Sequence, residues 1–377
     1  MARERQQAVA KAKRVLVKVG SSIVTADGKG LNTRAVNRIA EDIAHAVSGG
    51  HEILLVSSGA VAAGTSRLLL ARRPCTIPEK QAAAAVGQSG LIQAWERAFA
   101  RHGLKVGQVL LTSDDLGNRR RFLNARHTLL TLLGLGVVPV INENDTVVVE
   151  EIKFGDNDHL AALVTNLIEA RLLIFLTDTE GLYDRDPRKH SRPRLIPLVR
   201  RIDPGLETLA DEPLSGSVGT GGIASKIAAA RKSGHFGVPC VVASGRLRRC
   251  VSRVLDGEPI GTLFLPHEAP LRSRKHWIAF TRQPQGSLQV DAGAVAALRD
   301  RGKSLLPSGV ARVTGRFGAG DLVQIVDPEG KEFARGLVEY ASNEVDKIKG
   351  LRTTEIEATL GYKATDEVVH RDDLVLL

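Results

Sequence analysis

Over the first two thirds of the chain, apolar residues come in short unbroken runs. They fall at 15–19 (VLVKV), 52–58 (EILLVSS), 106–112 (VGQVLLT), 137–141 (VVPVI), 171–177 (RLLIFLT) and 238–244 (VPCVVAS). A half-exposed strand would alternate apolar with polar residues, so runs like these suit strands buried on both faces. Between them apolar residues return every three or four positions, as at 32–47 (NTRAVNRIAEDIAHAV) and 158–170 (DHLAALVTNLIEA). That is the period of a helix with one buried face. The alternation predicts an α/β fold, a mainly parallel sheet sandwiched by helices in three αβα layers. In such sheets ligands bind beyond the carboxyl ends of the strands.

The pattern changes after residue 265. Residues 267–284 are polar and proline-containing and read as a linker closing a first domain of 1–266. Beyond them, short strand patterns broken by glycine predict a small β-rich domain over 285–365, followed by a tail at 366–377. With 377 residues, two domains are the natural division.

Composition changes this picture little. Hydrophobic residues make up 43% and charged residues 25%, ordinary for a globular protein, and aromatics are only 4%, so the core is aliphatic. No apolar run reaches the ~18 residues of a membrane span, and the basic N-terminus has no apolar segment behind it to make a signal peptide. Cys75, Cys240 and Cys250 are widely spaced and odd in number, with neither metal-ligand nor disulfide spacing, which suits a reducing cytoplasm. A net charge of +10 fits nucleic acid, an anionic substrate or simply a basic surface. The basic residues are scattered without interleaved aromatics, and those of the C-terminal domain are matched by acids, which weighs against RNA binding there.

Five segments carry candidate chemistry. In VKVGSS (17–22), Lys18 interrupts an apolar strand just before Gly20. Either it faces an anion, with glycine letting backbone N–H groups approach, or it snorkels from an edge strand. SSGAVAAGTS (57–66) places Ser58 and Gly59 between a strand and an Ala-rich helix. It has the glycine spacing of a P-loop without the lysine, so Walker A is rejected, leaving an anion-binding helix start or close packing. FLTDTEGLYDRDPR (175–188) ends a strand at Thr177 and Asp178 and turns at Gly181. GTGGIASKIAAA (219–230) runs glycines into a helix with Lys226 in its first turns, where a cation is unfavourable unless an anion offsets it. The fifth is the pair of acid-amide boxes NEND (142–145) and GDND (155–158). Their spacing fails the EF-hand pattern. Asp156 or Asn157 can cap the following helix, but capping explains one such residue and not five.

Several of these segments, in order, resemble the glutamate 5-kinase family of the amino-acid kinase superfamily: KVGSS, SSGAVAAG, QAAAAVGQSGLIQAWE, RFLNARHTL, VPVINEND, EIKFGDND, FLTDTEGLYDRDPR and GTGGIASK. The segments VDAGAVAALRDRGKSLLPSGV and VTGRFGAGDLVQI resemble a PUA domain. The likeness runs from about Arg14 to Leu377, after a short basic segment that precedes the family's usual start.

The resemblance implies transfer of phosphate from ATP to the γ-carboxylate of L-glutamate, with Mg²⁺, in a cytoplasmic homo-oligomer. It implies catalytic roles for Lys18 and Lys226 beside the migrating phosphoryl, with Asp158 organising them. Ser58, Gly59, Asp145 and Asn157 are then expected at glutamate. Lys18, Thr177, Asp178, Thr220, Gly221, Gly222, Ile223, Ala224, Ser225 and Lys226 are expected at ATP. No protein residue is expected to form a dedicated metal site. Proline is a candidate feedback inhibitor, with 118–126 (NRRRFLNAR) near its site. An acetylglutamate or aspartate kinase, or an RNA-binding PUA protein, are the competing readings. A bifunctional synthase with an added reductase is rejected, because 377 residues leave no room for a second catalytic domain.

Overall fold

The computed structural model describes residues 2–10, 12–26, 30–147, 156–185, 192–203, 206, 222–266 and 283–377. Thr220 and Gly221, the last residues of the segment 175–188 and most of the expected linker lie outside these residues. Packing divides the chain into two units, Met1–Pro270 and Leu271–Leu377.

The first unit is built on an eight-stranded sheet: β1 (Arg14–Val19), β2 (Glu52–Ser57), β3 (Lys105–Leu111), β4 (Val137–Glu143), β5 (Leu172–Thr177), β6 (Leu198–Val199), β7 (Cys240–Ser244) and β8 (Thr262–Phe264). Their spatial order is β3-β4-β2-β1-β5-β7-β8-β6. All neighbouring pairs are parallel except β7 with β8. The six apolar runs supply β1–β5 and β7. The short strands β6 and β8 gave no run long enough to mark them. β4 continues through Glu143, so the NEND box begins inside the strand, with Asn142 and Glu143 buried.

β1 lies in the middle of the sheet, between β2 and β5. Lys18 therefore cannot snorkel from an edge strand. Alternation along β1 assigns its side chains to two faces. Val15, Val17 and Val19 join one apolar cluster with Ile39 and Ile43 of the helix Thr33–Ser48 and with Trp95 and Phe99 of the helix Ile77–Ala100. Leu16 and Lys18 point the other way, where Lys18 meets the helix Asp156–Leu167. The chain leaves β1 towards β2 on one side and enters β5 on the other. The carboxyl ends of β1, β2 and β5 thus flank the place where strand order reverses, the usual ligand crevice of such sheets.

Two glycines set the helix packing beside that crevice. A Cβ on Gly64 would lie 1.7 Å from the Ala83 carbonyl oxygen, and one on Gly87 would lie 1.9 Å from that of Ala60. The helices Ala60–Arg67 and Ile77–Ala100 therefore touch backbone to backbone. The second glycine of the P-loop-like spacing serves this contact.

The basic N-terminal segment forms a helix, Ala2–Val9. Its buried Arg5 donates to four carbonyl oxygens: Glu258 (3.1 Å), Ile260 (2.6 Å), Pro197 (3.3 Å) and Gly261 (3.1 Å). These residues lead into β6 and β8, so the helix is bolted to that edge of the sheet.

The second unit has a five-stranded sheet of order β10-β9-β11-β12-β13, from β9 (Gly286–Val290), β10 (Val310–Gly315), β11 (Leu322–Val326), β12 (Glu332–Leu337) and β13 (Leu374–Leu376). Only β9 and β11 pair in parallel. Residues 366–377, expected as a tail, are a correction to the sequence reading. They supply β13, and Val368 and Val369 are fully buried in this unit's core. No described helix is long and apolar enough to cross a membrane.

Candidate active site

Asp158 is the centre of a buried charge cluster. It sits in the first turn of the helix Asp156–Leu167 and is fully buried. Its Oδ1 lies 2.6 Å from Lys18 Nζ, and its Oδ2 lies 3.3 Å from Lys226 Nζ. Ser225 donates to the same Oδ2 at 2.7 Å. Both lysines are also buried, at 5% and 6% exposure. Burial alone would raise the Asp158 pKa, but the charges of Lys18 and Lys226 outweigh it and hold the carboxyl at about 2. For Lys226, burial wins over attraction to Asp158 and pushes its pKa below the ordinary lysine value. One carboxylate between two ammonium groups leaves a net positive charge out of water. Such a cluster is suited to an anion carrying several negative charges.

The lysines arrive from different elements. Lys18 stands one residue before the end of β1, and the next turn is made by Gly20, whose N–H donates to the Leu176 carbonyl of β5 at 3.1 Å. Lys226 is the fourth residue of the helix Ile223–His235, capped by Gly222. Its Nζ also lies 3.4 Å from the Gly222 carbonyl oxygen. Asp158 thus offsets the unfavourable placement of a cation near a helix start. Ile223 and Ala224 open that helix, half-buried. Beside it β5 ends at buried Thr177, whose hydroxyl donates to Asp178 Oδ1 at 3.1 Å. Asp178 is close enough to Lys226 to raise its pKa electrostatically. The loop after Asp178 is held from below: buried Thr262 of β8 accepts from Leu182 N at 2.8 Å and donates to the Ile196 carbonyl at 2.6 Å.

A neutral network begins one residue away. Asn157 Nδ2 donates to Ser58 Oγ and to Asn142 Oδ1, both at 3.0 Å. Asn142 Nδ2 donates to Gln88 Oε1 at 2.8 Å. The side chain of Asn157 is committed to these partners and does not cap its helix, which corrects half of the capping expectation. The side chain of Asp156 is outside those described. Ser58 follows β2, whose last residue, Ser57, is fully buried and accepts from Trp95 Nε1 at 2.9 Å. Gly59 then turns the chain at φ +116°, where a Cβ would also strike Val24 at 2.9 Å. Asp145 is half-buried three residues beyond Asn142.

The structure thus brings Lys18, Asp158, Ser225 and Lys226 together, and Ser58 with Asn157. Asn142 and Gln88 were missed. Both occur inside quoted segments, but an amide in a strand or helix carries no marker of its partner. Among the described residues no three His, Cys, Asp or Glu side chains could hold a metal ion.

Comparison with known proteins gives the site its context. Residues 13–244 match the amino acid kinase family, and residues 286–360 match the PUA domain. The chain is 55% identical to the glutamate 5-kinase of Citrifermentans bemidjiense over 373 residues, 99% of this chain and all of that one. It is 54% identical to that of Geobacter sp. strain M21 over the same share of each chain. The glutamate 5-kinase of Thioalkalivibrio sulfidiphilus is 52% identical over 377 residues, the whole of both chains. Among solved structures, the UMP kinase of Bacillus anthracis is 16% identical, with a TM-score of 0.46 over 69% of this chain and 98% of its own. That likeness is too distant to bear on function.

Proposed function

The chain belongs to the amino acid kinase family, in its glutamate 5-kinase branch, and from that premise we propose that it transfers the γ-phosphoryl group of ATP to the γ-carboxylate of L-glutamate. The products are L-glutamyl 5-phosphate and ADP, the first step of proline biosynthesis. The observation that carries this reading is the meeting of two buried lysines from separate elements on one buried aspartate.

The chemistry asks for positioning and charge neutralisation. A carboxylate with an ordinary pKa of ~4.3 is already ionised at neutral pH, so no general base is needed. A γ-carboxylate oxygen forms a bond to the γ-phosphorus as the bond to the ADP oxygen breaks. Lys18 and Lys226 flank the phosphoryl group and offset the charge on its oxygens. Asp158 acts as positioning residue, keeping two like charges at a fixed separation. Ser58, the Gly59 amide, Asp145 and Asn157 hold glutamate, with Asp145 opposite its ammonium group. Thr177, Asp178 and residues 220–226 hold ATP. Mg²⁺ bound through the phosphates supplies further neutralisation.

Four finer readings accompany this one. Three free cysteines with no bonded partner suit the cytoplasm. Assembly into a homo-oligomer is proposed on the resemblance, and sedimentation as a monomer at working concentration would refute it. Proline is proposed to compete with glutamate, and a glutamate saturation curve unmoved by millimolar proline would argue against that. The balanced charge of the C-terminal unit disfavours RNA as a partner, and steep, salt-sensitive retention of tRNA on a filter would reverse that view.

The decisive experiment traps the acyl phosphate with hydroxylamine. Hydroxamate should form with ATP and L-glutamate, and not with N-acetylglutamate or aspartate. Faster turnover of either control would move the chain to another substrate class.

A further inference from the structure

The amide chain behind Asn157 has a direction. Gln88 uses Oε1 to accept from Asn142 Nδ2, which leaves Asn142 Oδ1 to accept from Asn157 Nδ2. The same Nδ2 donates to Ser58 Oγ. Both hydrogens of the Asn157 amide are thereby used, and its Oδ1 is buried without a partner. Buried polar atoms in native proteins are nearly always paired, so an orphan acceptor beside a substrate crevice points to a donor on the ligand. Turning all three amides end for end would present N–H hydrogens at that place instead. In the orientation the hydrogen bonds show, acceptance by Gln88 is what leaves the Asn157 Oδ1 as the atom without a partner.

We propose that Gln88 is a positioning residue which, through Asn142, turns the Asn157 carbonyl oxygen towards the α-ammonium group of the amino-acid substrate. The site thereby selects acceptors that carry N–H at that carbon. The proposal rests on the glutamate-kinase reading and deepens it. A dicarboxylate such as glutarate offers the same reacting carboxylate without the ammonium group, so it cannot use this acceptor.

The test compares Gln88→Met, which removes the acceptor at similar volume, with Gln88→Glu, which can only accept. Gln88→Met should raise KM for glutamate roughly tenfold, the scale of one misplaced buried hydrogen bond, and leave kcat and KM for ATP unchanged. Its turnover of glutarate should match that of the wild type. Gln88→Glu should restore the glutamate KM. Gln88→Lys, which can only donate, should show the same loss as the methionine variant, and it replaces that variant if methionine prevents folding. An unchanged glutamate KM in Gln88→Met and Gln88→Lys would overturn the proposal. So would an equal fall with glutarate, which would mark general damage, or a glutamate variant as impaired as the lysine one. Absence of glutamate phosphorylation by the wild type would instead remove the underlying reading, and the inference with it.

Discussion

Asn157 and Asp158 are neighbours on one helical turn, yet they anchor clusters of opposite kind. Asp158 gathers charges: two lysines, from β1 and from a helix 68 residues later, converge on its two oxygens. Asn157 gathers neutral amides and a hydroxyl in a directional relay. The charge cluster works through a field that tolerates tenths of an ångström, and removing a member changes its net charge. The amide relay works through orientation, and losing a member changes which atom faces the ligand. The proposed reaction between two anions would use both: one side to lower the cost of crowding negative charge, the other to hold the acceptor in line.

Breaking the charged side should give the largest effect. Lys226→Ala should lower kcat about a thousandfold at saturating ATP, as for removal of one transition-state donor, with little change in KM for glutamate. Asp158 keeps Lys18 as a partner, so circular dichroism should show the fold retained. Near-wild-type kcat would end the role assigned to Lys226.

Acid should attack the same side next. The folded pKa of Asp158, about 2, lies below the ordinary 3.8, so its contribution to stability is complete above about pH 4 and is lost as pH falls through 2. The amount is about 2 kcal/mol by linkage. Urea midpoints across this range should show a loss in the wild type that Asp158→Asn lacks, and parallel profiles would contradict it. On the amino-acid side, Asp145→Ala should raise KM for glutamate roughly tenfold, the value of one charge-assisted hydrogen bond, and spare KM for ATP. A raised ATP KM with an unchanged glutamate KM would put Asp145 on the wrong side of the comparison. The smallest effect is on the alkaline limb of kcat. Burial lowers the Lys226 pKa and Asp158 opposes that shift, so residual activity of Asp158→Asn should decline at lower pH than the wild type. Superimposed limbs would mean that Lys226 does not set this profile.

How much of this was legible in the sequence differs between the two sides. Lys18 announced itself as a lysine in an apolar strand, and Lys226 as a cation after a glycine turn. Both are violations of local preference, and such violations mark function. The major strands were legible from their apolar runs, which suit parallel strands buried on both faces; β3, at the sheet edge, carries such a run although most of its residues are half-buried or exposed. β6 and β8, of two and three residues, are too short to leave one. The amide relay was not legible either. Asn142 and Gln88 are ordinary where they stand, and only the fold brings residues 54 positions apart into hydrogen-bond reach. Gly64 shows the converse: its spacing from Gly59 left open an anion-binding helix start or close packing, and its actual neighbour is a helix backbone.

The bolt made by Arg5 has a consequence for how the protein is assembled. Its carbonyl partners at Glu258, Ile260 and Gly261 lie 253, 255 and 256 residues further along. The surface that receives the helix Ala2–Val9 does not exist until the residues leading into β8 have been synthesised. Eight residues are too few to hold a helix in water without packing. The helix thus has nothing to pack against until the distant residues around β8 are present, a contact of long sequence separation.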